Sequence, residues 1–173
     1  MFQDEGRFGR INDPRCCWAP SGIRPNVPAQ IVREYTYAFA AISPHDGVMD
    51  SLVLPEVNAE LMSIFLAEVS ARPPKEFILM FADQAGWPRA KDLRIPENLR
   101  LAWLPPYSPE CNPVERLWDE IREKSFHNRV FERLDAVEDT LVVALATLEH
   151  DPPRNVSSPM RQLRLEISEC FLC

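Results

Sequence analysis

The sequence has 173 residues, of which 46% are hydrophobic and 26% charged, a composition typical of one globular domain with a sizeable core. This composition argues against an intrinsically disordered chain, and the longest apolar runs are too short to span a membrane. The net charge of −7 weighs against a self-sufficient nucleic-acid-binding protein, which usually has a basic face. It is compatible with a nuclease whose clustered carboxylates hold divalent cations.

The cysteines and the N-terminal residues indicate a cytoplasmic protein. Five cysteines, irregularly placed, do not form a disulfide framework, so a reducing compartment is the simpler interpretation. The first ten residues lack the basic start and apolar core of a secretory signal. Cys170 and Cys173 have a metal-like spacing, but they supply only two of the four ligands of a zinc site.

The first part of the chain predicts three strands, at residues 1–11, 33–42 and 47–54, from their aromatic and apolar content. Residues 16–28 are rich in proline and predict a loop. Because the three strands are close together in sequence, we expect them to form an antiparallel meander.

The pattern then becomes helical. Asn58 is a good N-cap for a helix over residues 59–70. The helical spacing is carried by Leu61, Ile64, Phe65 and Leu66. Residues 76–82 form a continuous apolar run, which predicts a strand buried on both faces. A further strand is predicted at 98–104, with a loop and a short helix between the two strands.

Two helices are predicted after the last strand, over residues 113–126 and from Asp135 onward, where Glu138 would complete a capping box. The apolar stripe of the second helix is formed by Val137, Leu141, Ala144, Leu145 and Leu148. The order β-β-β-α-β-α-β-α-α predicts an α/β domain over residues 1–150, with a mixed five-stranded sheet and helices on its faces. Residues 151–173 show no clear pattern and predict an irregular tail, as a frame shift would produce.

Two aspartates lie where a sheet could hold ligands. Asp83 directly follows the apolar strand, and ligands gather outside the carboxyl ends of strands in open sheets; a turn or a helix cap would also explain it. Asp4 lies in the first strand, where a buried carboxylate is costly without a partner, unless that strand is an edge strand and Asp4 faces water. Glu5 points to the opposite face.

A third carboxylate, Glu115, follows the proline-rich segment LPPYSPECNPVERLW at residues 104–118. Asn112 as N-cap and Pro113 at the first helical position would place Glu115 at the third, which is a capping box and requires no catalysis. The prolines favour another interpretation, because they stiffen the whole approach to the helix. Such a segment could fix the Glu115 side chain beside the end of the sheet.

Four segments carry a resemblance to a known family. The segments QDEGRFG, FADQAGW and LPPYSPECNPVERLWDEIREK resemble the three catalytic segments of the DDE transposases of the mariner and insertion-sequence superfamily, and WAPSGIRP resembles the loop after their first strand. The resemblance covers roughly residues 2–150. It implies an RNase H-like fold and a transposase that cleaves and joins DNA strands.

The same resemblance implies a catalytic and metal-binding triad of Asp4, Asp83 and Glu115 that holds two Mg²⁺ or Mn²⁺ ions. Possible phosphate contacts are Arg89, Lys91 and Arg116. The implied partners are the transposon ends and target DNA, with a homodimer assembled on the DNA and no membrane. The family's helix-turn-helix region is missing upstream of Met1, so we expect a missing part or a separate chain to carry it.

The sequence also departs from the family. Gln84 stands where an asparagine or glycine is frequent, and Pro88 where a histidine is frequent; the tail resembles no family ending. One alternative is therefore a catalytically inactive, decayed transposase fragment that acts only as a folding or interaction module. A second is a cellular RNase H-like nuclease acting on structured DNA or RNA, against which the proline-rich segment argues.

Overall fold

A computed structural model of the chain describes residues 1–12, 14–72, 76–84 and 92–150. The strands are β1 (Phe2–Ile11), β2 (Ile31–Ile42), β3 (Met49–Leu54), β4 (Ile78–Ala82) and β5 (Leu99–Trp103). The helices are α1 (Ala59–Ala71), α2 (Val114–Ile121) and α3 (Leu134–Glu149). A short 3₁₀ turn, Pro109–Cys111, precedes α2, and a π-helical turn, Arg122–Phe126, continues it.

The five strands form one mixed sheet in the order β3-β2-β1-β4-β5. The pairs β1–β2 and β2–β3 are antiparallel, whereas β4 is parallel to both β1 and β5. The predicted meander and mixed sheet are confirmed. Because β1 lies at the centre, the edge-strand interpretation of Asp4 is wrong.

Helices cover both faces of the sheet, as predicted. The face toward α1 is buried by the cluster Phe39, Ala41, Met62, Phe65, Leu66, Val69, Ile78, Met80 and Leu99. The other face packs against α2 and α3 through a cluster that includes Phe2, Phe8, Ile42, Leu117, Trp118 and Leu141. Burial of apolar area on both faces is the main force that holds the strands and helices together.

Two predictions about burial are wrong in part. In α1 the buried residues are Met62, Phe65, Leu66 and Val69, whereas Ile64 is 47% exposed, because the face toward the sheet begins at Met62. In β4, Leu79 is also 47% exposed. The reason is that α2 and α3 pack over β1 and β2 and leave the corresponding face of β4 less covered.

The predicted cap of the last helix is also wrong. The helix begins at Leu134, one residue before Asp135, and Arg133 occupies the N-cap position without a side-chain cap hydrogen bond. Leu134 packs against the core, which favours the earlier start. Asp135 instead pairs with Arg133 at 3.1 Å. The cap of α1 is confirmed, since the Asn58 side chain accepts a hydrogen bond from the Leu61 amide.

The loop predicted at residues 16–28 is confirmed, and it is closed at its base by two hydrogen bonds between Asn12 and Gln30. The predicted short helix before β5, with Arg89 and Lys91, falls largely on residues 85–91, outside the described residues. The tail at 151–173 also lies outside them. Within the part of the chain that the structure describes, no helix is long and apolar enough to cross a membrane.

Candidate active site

The parallel pairing of β1 with β4 brings two predicted site residues to neighbouring positions. Phe2 is the register partner of Phe81, and their rings stack with centroids 5.2 Å apart. Two residues further along each strand are Asp4 and Asp83. They lie on the same face as the two phenylalanines, on strands about 4.8 Å apart.

The proline-rich segment is tied to both strands. The Leu104 amide donates to the Ala82 carbonyl at 2.9 Å, which continues the β4–β5 pairing by one bond. At its other end, the buried Asn112 side chain donates from Nδ2 to the Gln3 carbonyl at 3.1 Å. The segment therefore ends against the residue that precedes Asp4, and α2 starts from that fixed position.

Glu115 does not complete the predicted capping box. Pro113, not the predicted Asn112, occupies the N-cap position of α2, which has no side-chain cap hydrogen bond. The Asn112 Oδ1 accepts from the Val114 amide at 3.2 Å. Its own amide, which the glutamate would have bound, donates instead to the Pro109 carbonyl at 2.9 Å. Because this 3₁₀ hydrogen bond already uses the Asn112 N–H, the Glu115 side chain does not bind it. The Glu115 side chain instead lines the pocket described next.

Asp4, Asp83 and Glu115 line one pocket of about 390 Å³ at the end of the sheet. The proline-rich segment from Pro105 to Pro109 forms its wall. Gln84, a departure from the family pattern, also lines the pocket, and its Nε2 donates to the Leu104 carbonyl at 3.0 Å. Gln84 thus ties the end of β4 to the start of the proline-rich segment.

The surroundings of the pocket raise the pKa values of Asp4 and Glu115 and so favour their neutral forms when no cation is bound. The pKa of Asp4 is raised to about 7, mainly by burial and also by the nearby Glu115 and Asp83 carboxylates, against hydrogen bonds from Trp118 and the Glu5 amide that lower it. Burial, Asp119 and Asp83 raise the pKa of Glu115, while Arg122 lowers it. The three acids therefore affect one another electrostatically, as groups of one site do.

Sequence reasoning missed one site residue, Trp118. Its indole Nε1 donates to Asp4 Oδ2 at 2.9 Å in a buried hydrogen bond. A buried tryptophan needs an acceptor for its N–H, which was the available signal. Helix α2 thus contributes Glu115 to the pocket and, one turn later, the donor that fixes Asp4.

Gly6 makes this contact possible. A Cβ at that position would lie 2.7 Å from Cδ2 of Trp118 and 2.9 Å from Cε2 of Phe8. We expect Gly6→Ala to lower the free energy of unfolding by about 2–3 kcal/mol, because the fully buried indole has no space into which to move. Thermal unfolding of the purified variant should show a melting temperature about 4–12 °C lower.

A double-mutant cycle with Trp118→Leu tests the cause. The smaller leucine leaves room for the added methyl group, so Gly6→Ala should cost clearly less in that background. An equal cost in both backgrounds would show that the indole is not what excludes a side chain at position 6.

The metal-binding geometry is incomplete in one respect. Among the residues that the structure describes, no three His, Cys, Asp or Glu side chains are arranged to hold an ion together. Like charges spread apart without a cation between them. Of the predicted phosphate contacts, Arg116 is exposed on α2 and is not among the residues that line the pocket, while Arg89 and Lys91 lie outside the described residues.

Comparison with known proteins identifies the family. Residues 1–138 match the sequence profile of the family described as DDE superfamily endonuclease. The chain belongs to this family. A curated relative, the uncharacterized protein y4pE/y4sA of Sinorhizobium fredii (strain NBRC 101917 / NGR234), is 34% identical over 129 residues, which cover 74% of this chain and 96% of the relative.

Solved structures confirm the RNase H-like fold of this DDE superfamily member. The Mos1 transposase paired-end complex with the left transposon end matches with a TM-score of 0.67 and 15% identity, covering 99% of this chain and 52% of that one. The Mos1 mariner paired-end complex with Mn gives a TM-score of 0.65 and 15% identity, covering 99% and 53%. This chain, a DDE superfamily member, therefore spans about half the length of the Mos1 transposase structures that it matches.

Proposed function

We propose that this chain is the catalytic domain of a transposase that cleaves DNA strands and joins them to new sites. The observation that carries the proposal is the convergence of three carboxylates, from β1, the end of β4 and α2, on one pocket. Membership of the DDE superfamily endonucleases and the likeness to Mos1 structures support it.

The donor set of the pocket suits Mg²⁺ or Mn²⁺. Asp4, Asp83 and Glu115 offer only carboxylate oxygens, the hard ligands that these ions prefer. Asp4 is buried beside two further acids, and its pKa is raised first by burial and then by those acids, so a cation would stabilise its charged form. Two bound ions would activate the attacking water or 3′-hydroxyl and stabilise charge on the leaving oxygen. Asp4, Asp83 and Glu115 would hold these ions.

The chain's own groups hold these ligands in place. The Trp118 indole orients one oxygen of Asp4, and the bond from Asn112 to the Gln3 carbonyl sets the distance of α2 from β1. Small displacements of a reacting group lower the reaction rate by large factors. A stiff, proline-rich segment that fixes the position of Glu115 would therefore favour catalysis.

Metal binding by the purified chain tests the proposal. Calorimetric titration with Mn²⁺ should show binding to the wild type that falls at least about tenfold in Asp83→Asn, because one carboxylate ligand loses its charge. Cleavage of supercoiled plasmid should require Mg²⁺ or Mn²⁺ and should be lost in the same variant. Wild-type and variant chains that bind manganese equally would contradict the assignment of Asp83.

A second candidate function is an inactive fold or interaction module derived from a transposase. The observation that favours it is that no three acids among the described residues are arranged to ligate one ion. The titration separates the two candidates, since an inactive module would show no site that depends on Asp83.

Sequence recognition of the DNA ends is proposed to lie outside residues 1–150, in a further part of the protein or a separate chain. The net charge of −7 opposes a polyanion at long range, and none of the helices in the described ranges presents base-reading side chains on one exposed face. We expect the chain to bind its terminal inverted repeat and a scrambled duplex with equal affinity, measured with Ca²⁺ in place of Mg²⁺. A salt-tolerant preference for the repeat would contradict this prediction.

A further inference from the structure

A groove of about 260 Å³ lies beyond the carboxylate pocket along β1 and the end of α2. Four arginines line it: Arg7, Arg15, Arg122 and Arg129. Among the described residues that line this arginine groove there is no carboxylate. In a chain with 26 acidic and 19 basic residues, such a local excess of positive charge contrasts with the composition of the whole.

Three of these arginines are held by aromatic rings. The guanidinium carbon lies 4.7 Å from the ring centroid of Tyr35 for Arg7. The corresponding distances are 5.3 Å to Phe8 for Arg122 and 5.0 Å to Phe131 for Arg129. Stacking fixes the plane of a guanidinium and leaves N–H groups at its edge available, an arrangement that suits phosphate oxygens.

Few acids neutralise the groove. Within the described part of the chain, Arg7 and Arg129 have no ion pair, and Arg122 has only a long contact of 3.8 Å with Asp119. Arg15 pairs with Glu123 at 3.3 Å. Two half-buried or exposed arginines elsewhere have close acidic partners, Arg10 with Glu34 at 2.7 Å and Arg72 with Asp50 at 2.6 Å. The groove therefore keeps charge that an anionic ligand could use.

The arginine groove and the carboxylate pocket are separate cavities that both draw residues from β1 and from the helix that starts at Val114. Arg122 lies seven residues after Glu115, which is two helical turns or about 10 Å. Arg7 lies three residues beyond Asp4 on β1, about 10 Å along the strand, with its side chain on the opposite face of the sheet from Asp4. Along duplex DNA this distance corresponds to about three base pairs.

We infer that the arginine groove binds the phosphate backbone of duplex DNA about three base pairs from the phosphodiester that reacts at Asp4, Asp83 and Glu115. The inference rests on the proposed function, because it assumes that DNA occupies the carboxylate pocket. Contacts to phosphates carry no sequence information, so the groove would position DNA of any sequence.

The test is a titration of a fluorescent 24-base-pair duplex with the full chain in EDTA, at several salt concentrations. The triple variant Arg7→Gln, Arg122→Gln, Arg129→Gln should bind at least about tenfold more weakly at low salt. Its plot of log affinity against log salt should be shallower by about 3, close to one per lost contact. The triple Lys variant at the same positions should keep most of the slope, which separates charge from folding.

A matched control removes the same charge elsewhere. The triple variant Arg33→Gln, Arg100→Gln, Arg133→Gln changes exposed arginines outside the groove and should leave the slope nearly unchanged. Equal effects of the two Gln triples, no effect of the groove triple, or a wild type without salt-dependent binding would overturn the inference. Because the assay contains no metal, these outcomes are independent of the manganese titration and plasmid cleavage that judge the proposed function.

Discussion

Glu115→Gln is expected to abolish metal-dependent strand cleavage, with a loss of at least about 10³-fold, or about 4 kcal/mol of transition-state stabilisation. Glutamine keeps the shape of the side chain but removes the charge that would hold a cation in the pocket. The hydrogen bond from the Val114 amide to Asn112 and the packing of Leu117 and Trp118 do not depend on the carboxylate, so the free energy of unfolding should change by less than about 0.5 kcal/mol.

Plasmid nicking in Mg²⁺ and in Mn²⁺ measures the first effect, and thermal unfolding without metal measures the second. Glu132→Gln, an exposed acid outside the pocket, is the control and should be as active as the wild type. If Glu115→Gln and the control cleave at the same rate, Glu115 has no part in the mechanism and serves only the start of α2.

The metal-free protein is expected to lose stability as the pH rises from about 4 to about 7. The pKa of Asp4 is about 7 in the folded chain, against 3.8 for the ordinary side chain. In that interval the folded chain keeps a proton that the unfolded chain has released, so the free energy of unfolding falls with pH. Asp4 alone would contribute about 2–4 kcal/mol. Asp50, whose pKa is about 6, acts in the same direction.

Asp4→Asn isolates this contribution. Asparagine can still accept the Trp118 hydrogen bond but cannot ionise, so the variant should exceed the metal-free wild type at pH 7 by about 2 kcal/mol, or about 4–8 °C in melting temperature. Both proteins should be equally stable near pH 4. Glu132→Gln, which changes an exposed acid outside the pocket, should leave the pH dependence unchanged. A wild type and Asp4→Asn with parallel pH curves would show that the Asp4 charge is not destabilising.

If Asp4→Asn stabilises the metal-free protein, the cause is the removal of a negative charge from a pocket of acids. The pocket gathers three acids and buries one of them, so the fold is strained electrostatically until a cation is supplied. Mg²⁺ should therefore raise the melting temperature of the wild type more than that of Asp4→Asn, by mass action on the folded state.

Much of this fold follows from local patterns in the sequence. Three strand-like segments close together in the first 54 residues predicted the antiparallel meander. The helical spacing after Asn58 predicted α1, which connects β3 to β4. The placement of Asp83 after an apolar run predicted that it would lie at the end of a strand, and it does. The resemblance of three segments to those of transposases predicted that Asp4, Asp83 and Glu115 belong to one site.

Only the tertiary structure decided how these residues meet. Glu115 could have capped its own helix, and the bond between the Asn112 amide and Pro109 excluded that alternative. The Trp118 indole reaches Asp4 across 114 positions of sequence, through a gap that Gly6 keeps open. The arginine groove joins residues of β1, the following loop and the end of α2. Periodicity and caps describe neighbours along the chain, whereas these contacts depend on the packing of α2 against the centre of the sheet.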